Sequence, residues 1–366
     1  MRKFFFNLHL YLALFAGAFI FILGITGSIM AFEPELDHLL HRHRSYVTPA
    51  GSPHSLAEIS AAVTRSFPGE RIGGYILASS PDTSCKVLLE KSGTVYVNQY
   101  TGEVLEVLPD QMEFLDYVHQ LHLRLLWQSP SRPGDQIMSW AGAAMLFLAL
   151  SGLYLWWPVK RIALTPGATG RRWWFDLHSA AGIMSLVFLA MLAFTGVMIG
   201  FEKKTVPLLY RLTGSHPAQQ PAVPAPPPGA VAISPDQAIA IAHQALPGAA
   251  PFAVLIPGPK GAYQVRLRYP EDRTPGGRSR VIVDQYSGKV IFAEGSRTAP
   301  AGTRMVIANR AWHTGDIFGF PSKAVVSLAS LMAAFQTLSG VVMWWKRTRK
   351  KRSVIQAARA KSALQA

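Results

Sequence analysis

Four of the eleven histidines stand near the ends of long uncharged runs, in positions where they could act in pairs. His9 and His178 are each the second residue of such a run, whereas His122 and His313 each lie a short distance before another. Imidazole is the commonest protein ligand for metals, and ionisable groups at membrane depth are costly and usually functional. We therefore expect two ligand pairs, His9 with His178 and His122 with His313. A catalytic zinc site fits poorly, because it usually takes three close protein ligands and an open position.

The uncharged runs themselves predict membrane-spanning helices. Each has 22 to 25 residues without Asp, Glu, Lys or Arg, and about 20 helical residues are enough to cross a bilayer core. Only 16% of all residues are charged, against about a quarter in soluble domains. A soluble enzyme is therefore excluded, and the four predicted spans are 8–32, 136–157, 177–201 and 324–345.

The basic residues predict how these spans are oriented. The formal net charge is +15, and 14 Lys and Arg residues lie before the first span, between the second and third, and after the fourth. These segments share one side of a four-helix topology, so the positive-inside rule places them and both termini in the cytoplasm. Because the rest of the chain is close to neutral, a basic nucleic-acid-binding face is not expected.

Short motifs of the first half of the chain recur in the second half in the same order. Each half then contains an outgoing span, an extracytoplasmic domain and a returning span, which predicts a tandem internal duplication. The matched segments are 6–9 with 175–178, 26–27 with 195–196, 32–33 with 201–202, 95–102 with 281–288, and 150–152 with 338–340.

Each extracytoplasmic domain is predicted to be a helix followed by an antiparallel sheet. The helices begin after the capping residues Ser55 and Ser234 and stop at Pro-Gly pairs. Strand-like segments follow, with Tyr-Thr-Gly or Tyr-Ser-Gly as the turn before the last strand. A Pro/Ala-rich linker at 217–228 precedes the second domain and is expected to be extended. The single cysteine, Cys85, excludes an internal disulfide, a Cys-rich iron–sulfur cluster and c-type haem attachment.

The hairpin pattern V-x-V-[ND]-x-Y-[ST]-G-x-[VI] after a helix resembles the PepSY module. Further motifs are Leu-His near the span starts, His-x-Leu-His before span two and Trp-His-Thr-Gly before span four. With these motifs, nearly the whole chain resembles the PepSY-associated transmembrane family, and within it the FoxB-like ferrisiderophore reductase type. The resemblance implies a protein of the bacterial inner membrane that is linked to iron uptake. It also implies a haem-containing reductase of siderophore-bound iron.

The expected fold is an all-α membrane bundle of four transmembrane helices with two α+β periplasmic PepSY-like domains. The four helices are expected at 1–33, 136–157, 177–201 and 324–345. The remaining segments are the first periplasmic domain with the stretch before span two (34–135), a cytoplasmic loop (158–176), the second periplasmic domain with its Pro-rich linker (202–323) and a basic cytoplasmic tail (346–366).

The histidine pairs suit two b-type haems, because two imidazoles commonly clamp one low-spin haem iron. His9 and His178 would bind one haem near the cytoplasmic face, and His122 and His313 a second near the periplasmic face. His119 is an alternative to His122, since residues three apart face the same way on a helix. The distance to the following Trp pair favours His122, because it is 34 residues from His122, 31 from His313 and 37 from His119.

Two glutamates at matching positions of the two halves, and several glycines in the spans, are further candidates for structural or functional roles. Glu33 and Glu202 are expected to anchor helix ends, with tuning of the outer haem or steering of a cationic substrate as the alternative. Glycines in the spans are expected to allow close helix packing or to leave room for a macrocycle: Gly24, Gly27, Gly152, Gly196 and Gly340.

The extracytoplasmic domains contain two polar clusters that are expected to face solvent. His38, His41 and His43 follow the first span, and metal binding is the alternative for them. A run of arginines around a Pro-Gly-Gly turn at 275–277 is expected to form an exposed hairpin. Contact with a ligand is the alternative for this run, which comprises Arg266, Arg268, Arg273, Arg278 and Arg280.

The expected function is a transmembrane electron conduit that reduces ferric siderophore in the periplasm. An electron would enter at the His9/His178 haem and pass to the His122/His313 haem. Reduction releases iron because siderophore oxygens bind hard Fe(III) much more tightly than Fe(II). The cytoplasmic segments contain no Rossmann or flavin fingerprint, so the electron donor, a quinol or a cytoplasmic reductase, is a separate molecule.

Two other functions remain open from the sequence. One is a membrane-anchored PepSY protein that binds or regulates a partner without redox activity. The other is a transporter for iron or a siderophore, although the spans lack the broken helices and mid-membrane polar sites that transporters use.

Overall fold

The computed structural model describes residues 1–109, 112–158, 160, 162, 164–258, 261–274 and 276–363. They form a helical unit (Met1–Phe32, Phe114–Thr205 and Trp312–Ala366) and a sheet unit (Glu33–Glu113 and Val206–Ala311).

The helices are α1 (Arg2–Met30), α2 (Glu33–Leu40), α3 (Arg42–Ser45), α4 (Leu56–Ser66), α5 (Phe114–Arg124), α6 (Pro133–Trp156), α7 (Gly170–Gly200), α8 (Glu202–Leu212), α9 (Pro235–Ala245), α10 (Ala301–Thr314) and α11 (Phe320–Ala363). The strands are β1 (Ile72–Ile76), β2 (Cys85–Leu89), β3 (Gly93–Val97), β4 (Val104–Leu108), β5 (Ala250–Leu255), β6 (Ala262–Arg268), β7 (Ser279–Asp284) and β8 (Val290–Glu294).

Four helices of the helical unit are long and apolar enough to cross a membrane. They are α1, α6, α7 and the Phe320–Arg349 part of α11, which confirms the four predicted spans. Each helix begins three to seven residues before its predicted span. The difference arises because a helix continues through charged residues at the membrane surface, such as Arg171 and Arg172 of α7, whereas the prediction counted only uncharged ones.

The spanning helices contact one another through small residues. α1 and α7 each contact both α6 and α11. Ala16 and Ile20 of α1 pack in one buried cluster with Ala141, Leu189 and Ala333. A Cβ atom at Gly24 would lie 2.7 Å from the Ser330 carbonyl oxygen, so this crossing of α1 and α11 requires glycine. The predicted role of Gly24 in close packing agrees with this contact.

His122 and His313 lie on short helices that precede the second and fourth spans. His122 is on α5, which contacts α1 and α6, and His313 is on α10. α5 ends at Arg124, after which Leu125 and Leu126 have positive φ values of 57° and 59°. α6 begins separately at Pro133, and Arg132 before it adopts a left-handed conformation, with φ of 52°.

All eight strands belong to one antiparallel sheet in the order β4-β3-β2-β1-β5-β6-β7-β8. The strands of the first half of the chain meet those of the second where β1 pairs with β5, with Tyr75 opposite Val254. Two domains with separate sheets are expected from the sequence. The structure instead joins the strands of both in one sheet with a shared core, which includes Val63, Val87 and Val265.

The helices α4 and α9 begin and end where the sequence predicts. Ser55 and Ser234 each form a capping box, with Glu58 and Gln237 respectively. Each helix ends before its Pro-Gly pair. Asp236, at the start of α9, also accepts hydrogen bonds from the first backbone N–H groups of α4, with 2.9 Å between its Oδ1 and the Leu56 nitrogen. This contact links the two helices at their N-termini.

The predicted turns before β4 and β8 follow the same design. Asn98 Oδ1 accepts a hydrogen bond from the Tyr100 N–H, and Asp284 Oδ1 accepts one from the Tyr286 N–H, both at 2.9 Å. Gly102 and Gly288 have φ of 72° and 69°, a conformation that glycine adopts without strain. The repeated sequence V-x-V-[ND]-x-Y-[ST]-G therefore describes one turn geometry used twice.

Arg44 is the most deeply buried cation among the described residues of the sheet unit, with 1% of its surface exposed. Its guanidinium group donates to Asp37 at 2.9 Å, Glu106 at 3.1 Å and Glu113 at 2.5 Å. Hydrogen bonding from Arg44 lowers the pKa of Glu113. Burial raises the pKa of Asp37, but hydrogen bonds from Arg44 and His41 outweigh it, so that this pKa is also lowered.

Replacing Arg44 with Met is expected to lower the free energy of unfolding of the sheet unit by about 2–4 kcal/mol, because it leaves three carboxylates without their shared cation. Chemical denaturation followed by near-UV circular dichroism measures the loss. The pKa values of these carboxyl groups are lower in the folded protein than the value of about 4 in the unfolded chain, so the ionised carboxylates stabilise the fold above about pH 4. This stabilisation is lost as the pH falls through the folded-state pKa. The difference between the variant and the unmodified protein should therefore shrink below about pH 4.

Arg71→Met is the matched control, because Arg71 and Glu90 form an ion pair that is 46% and 47% exposed. Such a pair contributes about 1 kcal/mol or less. Equal losses in the two variants would contradict the structural role of Arg44.

Candidate functional site

His9 and His178 are each held through one ring nitrogen by a serine of a neighbouring helix. Nδ1 of His9 on α1 lies 2.8 Å from Oγ of Ser151 on α6. Nδ1 of His178 on α7 lies 2.7 Å from Oγ of Ser339 on α11. Both imidazoles line the same cavity. The structure therefore brings the two side chains to one site.

His122 and His313 are held in the same way by threonines. Nδ1 of His122 on α5 lies 2.8 Å from Oγ1 of Thr26 on α1. Nδ1 of His313 on α10 lies 2.9 Å from Oγ1 of Thr195 on α7. The two contacts join residues that occupy matching positions in the two halves of the sequence, as do the two serine contacts.

The four hydroxyl groups can select which nitrogen of each imidazole is protonated. Each hydroxyl lies within hydrogen-bond distance of both Nδ1 of its imidazole and a backbone carbonyl of its own helix, and it has a single hydrogen to donate. When that hydrogen goes to the carbonyl, the hydroxyl accepts from the imidazole Nδ1–H, and Nε2 carries the lone pair, which is the form of histidine that binds a metal. The carbonyls are those of Ile22, Leu148, Met191 and Gln336, at 2.6, 3.3, 2.8 and 3.1 Å.

A glycine follows each of the four hydroxyl residues in the sequence and lies against the same imidazole. A Cβ atom at Gly27 would be 3.2 Å from Cε1 of His122, and one at Gly196 would be 3.1 Å from Cε1 of His313. The corresponding distances are 3.6 Å at Gly152 and 3.8 Å at Gly340, measured to His9 and His178. These glycines thus leave room for the imidazole rings.

The two pairs lie at different levels of the helical unit. Along α1, His9 and Thr26 are 17 residues apart, which corresponds to about 26 Å of helix. The same interval separates His178 and Thr195 along α7. Because Thr26 and Thr195 hold the second pair, the two pairs are separated by nearly the thickness of a bilayer core of roughly 30 Å.

The cavity at His9 and His178 has a volume of about 880 Å³, within the range of roughly 300–1,000 Å³ for small-molecule sites. Its walls are mostly apolar and include Leu148, Ile183 and Leu186. Cationic side chains line it from the first turns of α1 and α7 and from α11: Arg2, Lys3, Arg171, Arg172 and Arg347. This combination suits a flat apolar ligand that carries acidic groups on one edge.

His122 is half-buried in the helical unit. Burial, followed by repulsion from His313 and His119, lowers the pKa of His122 to about 3. The imidazole is therefore neutral at physiological pH, as a metal ligand must be. His119 lies close enough to affect His122, but the hydroxyl and glycine contacts that match those of His313 belong to His122.

Haem fits the donor groups that these residues present. Each site offers two imidazoles, and bis-histidine ligation is a standard arrangement for b-type haem. At the His9/His178 site, the apolar walls suit the porphyrin ring, and the cationic residues suit its carboxylates.

The histidines after the first span have partners inside the sheet unit. His41 contacts Asp37 and lies near Glu113, and these three residues are close enough to hold a metal ion. Arg44 donates to Asp37 and Glu113, and its Nη2 lies 2.9 Å from Nδ1 of His41, so a cation already occupies the centre of this group. His43 pairs with Glu106, and the ring of His38 lies 5.5 Å from that of Tyr46.

The remaining predicted residues lie at helix ends and on the sheet. Glu33 and Glu202 are the first residues of α2 and α8, where a carboxylate favours the helix dipole, in agreement with the expected anchoring role. The arginine run forms the predicted antiparallel hairpin, in which Arg266 lies opposite Arg280. Pro275 of its turn lies outside the described residues.

The sequence analysis did not identify the partners of the four histidines. Thr26, Ser151, Thr195 and Ser339 are matched between the halves and each precedes a glycine, but the repeat was interpreted as evidence of duplication and of helix packing. The available signal was that each of the four predicted spans contains one Thr-Gly or Ser-Gly pair.

A family model described as the PepSY-associated TM region matches residues 6–347, which includes all four histidines and all four hydroxyl residues. No curated protein matches the chain.

Replacing Ser339 with Ala is expected to release the Nδ1–H of His178, so that its ring populates both neutral tautomers. Nitrogen-15 NMR of histidine-labelled protein in lipid, prepared without added metal, distinguishes the tautomers. Ser339→Thr should retain the Nδ1–H form because it keeps the hydroxyl. Ser185→Ala is the matched control, since the Ser185 hydroxyl bonds the Ala181 carbonyl of its own helix. An unchanged His178 signal in Ser339→Ala would contradict the assignment.

Proposed function

The chain belongs to the PepSY-associated transmembrane family, and on that premise we propose that it is a di-haem membrane oxidoreductase. It carries electrons across the bilayer and reduces ferric siderophore, which releases Fe(II). The multi-pass character follows from the four spanning helices. The redox activity and the substrate are the proposed part.

The main support for this proposal is the histidine–hydroxyl contact, which occurs at each of the four histidines. Four imidazoles, paired at two levels of the helical unit, each have Nδ1 engaged by a hydroxyl. Bound between two imidazoles, haem supplies a one-electron couple whose potential depends on its ligands and their surroundings.

The residues of this chain hold and insulate the two sites. The hydroxyl groups orient the rings and raise the basicity of the ligating nitrogen. The apolar walls of the cavity exclude water, which lowers the local dielectric constant and affects the redox potential. Arg171 and Lys3 offer positive charge to the acidic edge of the ligand at the His9/His178 site.

We further propose that the His9/His178 site faces the cytoplasm of a bacterium and that the chain lies in its inner membrane. The support is the distribution of Lys and Arg, because 14 of them lie in the two flanks and the loop on that side. The sheet unit is then periplasmic and the chain termini are cytoplasmic. The electron donor is a quinol or a cytoplasmic reductase.

Siderophore reduction is supported by the chemistry of iron and by the resemblance to ferrisiderophore reductases. Siderophore oxygens are hard ligands that prefer Fe(III), so the addition of one electron weakens the complex. A module that only binds a partner, or a transporter, would not require two pairs of tautomer-selected imidazoles.

The purified protein is expected to contain two haems per chain, seen as a Soret band that shifts on reduction with dithionite. His9→Ala/His178→Ala should remove one haem, and His122→Ala/His313→Ala should remove the other. His119→Ala is the matched control for the second pair and should retain both. A pyridine haemochrome assay measures the count. A colourless protein would contradict the proposal.

The same samples test the substrate. Ferric siderophore added to the anaerobically reduced protein should reoxidise the haem spectrum and release Fe(II) to a ferrous-specific chelator. Reoxidation without Fe(II) release would contradict siderophore reduction while leaving the electron conduit in place.

A further inference from the structure

The hairpin of β6 and β7 carries four arginines on one exposed face. Arg266 and Arg268 lie on the same face of β6, on either side of Leu267 in the sequence, and Arg280 of β7 lies directly opposite Arg266. Arg278 stands two residues before Arg280, so the alternation of an extended chain places it on the same face. All four are exposed, whereas the intervening Leu267 is buried. We refer to these four residues as the arginine face.

Neighbouring carboxylates compensate little of this charge. Glu294 of β8 is the one acidic partner that the described residues provide, with 4.0 Å between its Oε2 and Nε of Arg280. Arg268 donates Nη2 to the backbone carbonyl of Asp272 at 3.4 Å. For Arg266 and Arg278, the described part of the chain contains no ion pair.

Mutual repulsion makes this arrangement unfavourable in the absence of an anion. Like charges directly opposite on antiparallel strands destabilise a sheet. Arg310 of α10 adds a further positive charge nearby. The pKa of Arg278 lies below its ordinary value, because the group is partly withdrawn from water and because Arg310 and Arg266 repel it.

The apolar part of the same sheet face is already covered. Ile282 and Phe292 are buried in a small cluster with Ala262, and Val223 of the proline-rich segment packs on it. The arginine face therefore remains exposed beside a covered apolar surface.

We propose that the arginine face binds the ferric chelate that the protein reduces, and that this chelate is a small molecule with net negative charge and carboxylate or catecholate oxygens. The guanidinium fork matches paired anionic oxygens, and arginine also stacks on aromatic rings. The inference rests on the proposed function and narrows its substrate to anionic chelates, as opposed to neutral or cationic hydroxamates.

Equilibrium dialysis of the full chain in nanodiscs of zwitterionic lipid tests the inference, with iron(III) citrate as the anionic probe and iron(III) tris-acetohydroxamate as the neutral one. The citrate complex should bind at least about tenfold more tightly than the neutral complex, and Arg266→Gln/Arg278→Gln should weaken its binding by at least about tenfold. Added salt should weaken it further.

Two other variants control for charge and folding. Arg42→Gln/Arg65→Gln removes the same net charge from exposed positions elsewhere in the sheet unit and should alter binding by no more than about twofold. Glu294→Gln removes the carboxylate beside Arg280 and should tighten binding by about twofold to threefold. This gain keeps the test informative if the double variant folds poorly.

Equal binding of the two complexes, or equal effects of the two double variants, would overturn the inference. Loss of citrate-complex binding when anionic lipid is added to the nanodiscs, with no loss in the Arg266→Gln/Arg278→Gln variant, would assign the arginine face to lipid headgroups and also overturn it. The haem spectrum of each sample is read separately. A sample without a haem spectrum would contradict the proposed function. A normal haem spectrum together with equal binding of the two iron complexes would contradict this inference alone.

Discussion

The hydrogen bond between an imidazole and a hydroxyl group on another helix is the interaction on which this structure depends. A buried N–H group without a partner costs about 1–3 kcal/mol, and an apolar bundle offers few acceptors. Ser151 and Ser339 supply acceptors for His9 and His178, as Thr26 and Thr195 do for the other pair. Each contact fixes the position of one helix relative to the other along the bundle.

The same contacts explain the glycines and the chemistry of the rings. When each hydroxyl gives its hydrogen to its own backbone, it accepts from Nδ1 and leaves the lone pair on Nε2. Because a glycine follows each hydroxyl, the imidazole can approach the helix closely. Helix packing and ligand chemistry are therefore determined by the same Thr-Gly and Ser-Gly pairs. The proposed haem sites follow from this geometry.

Much of the helical unit could be predicted from sequence, since an uncharged run long enough to span a bilayer has few alternatives. The capping boxes and the Asn98 and Asp284 turns are also local signals. The joining of the strands through β1 and β5 is not local, because strand-edge pairing depends on residues far apart in the chain. The buried Arg44 was missed because its partners come from Asp37, Glu106 and Glu113, which only the fold brings together.

The histidines were identifiable because imidazole is rare at span ends and the positions recur. Their hydroxyl partners were not, because small polar residues in a span have many ordinary roles. An anomalous-scattering map of the protein recorded at the iron edge tests the central claim most directly. One iron should lie between Nε2 of His9 and Nε2 of His178, and another between Nε2 of His122 and Nε2 of His313. Iron bound through Nδ1, or no iron between these side chains, would contradict the account.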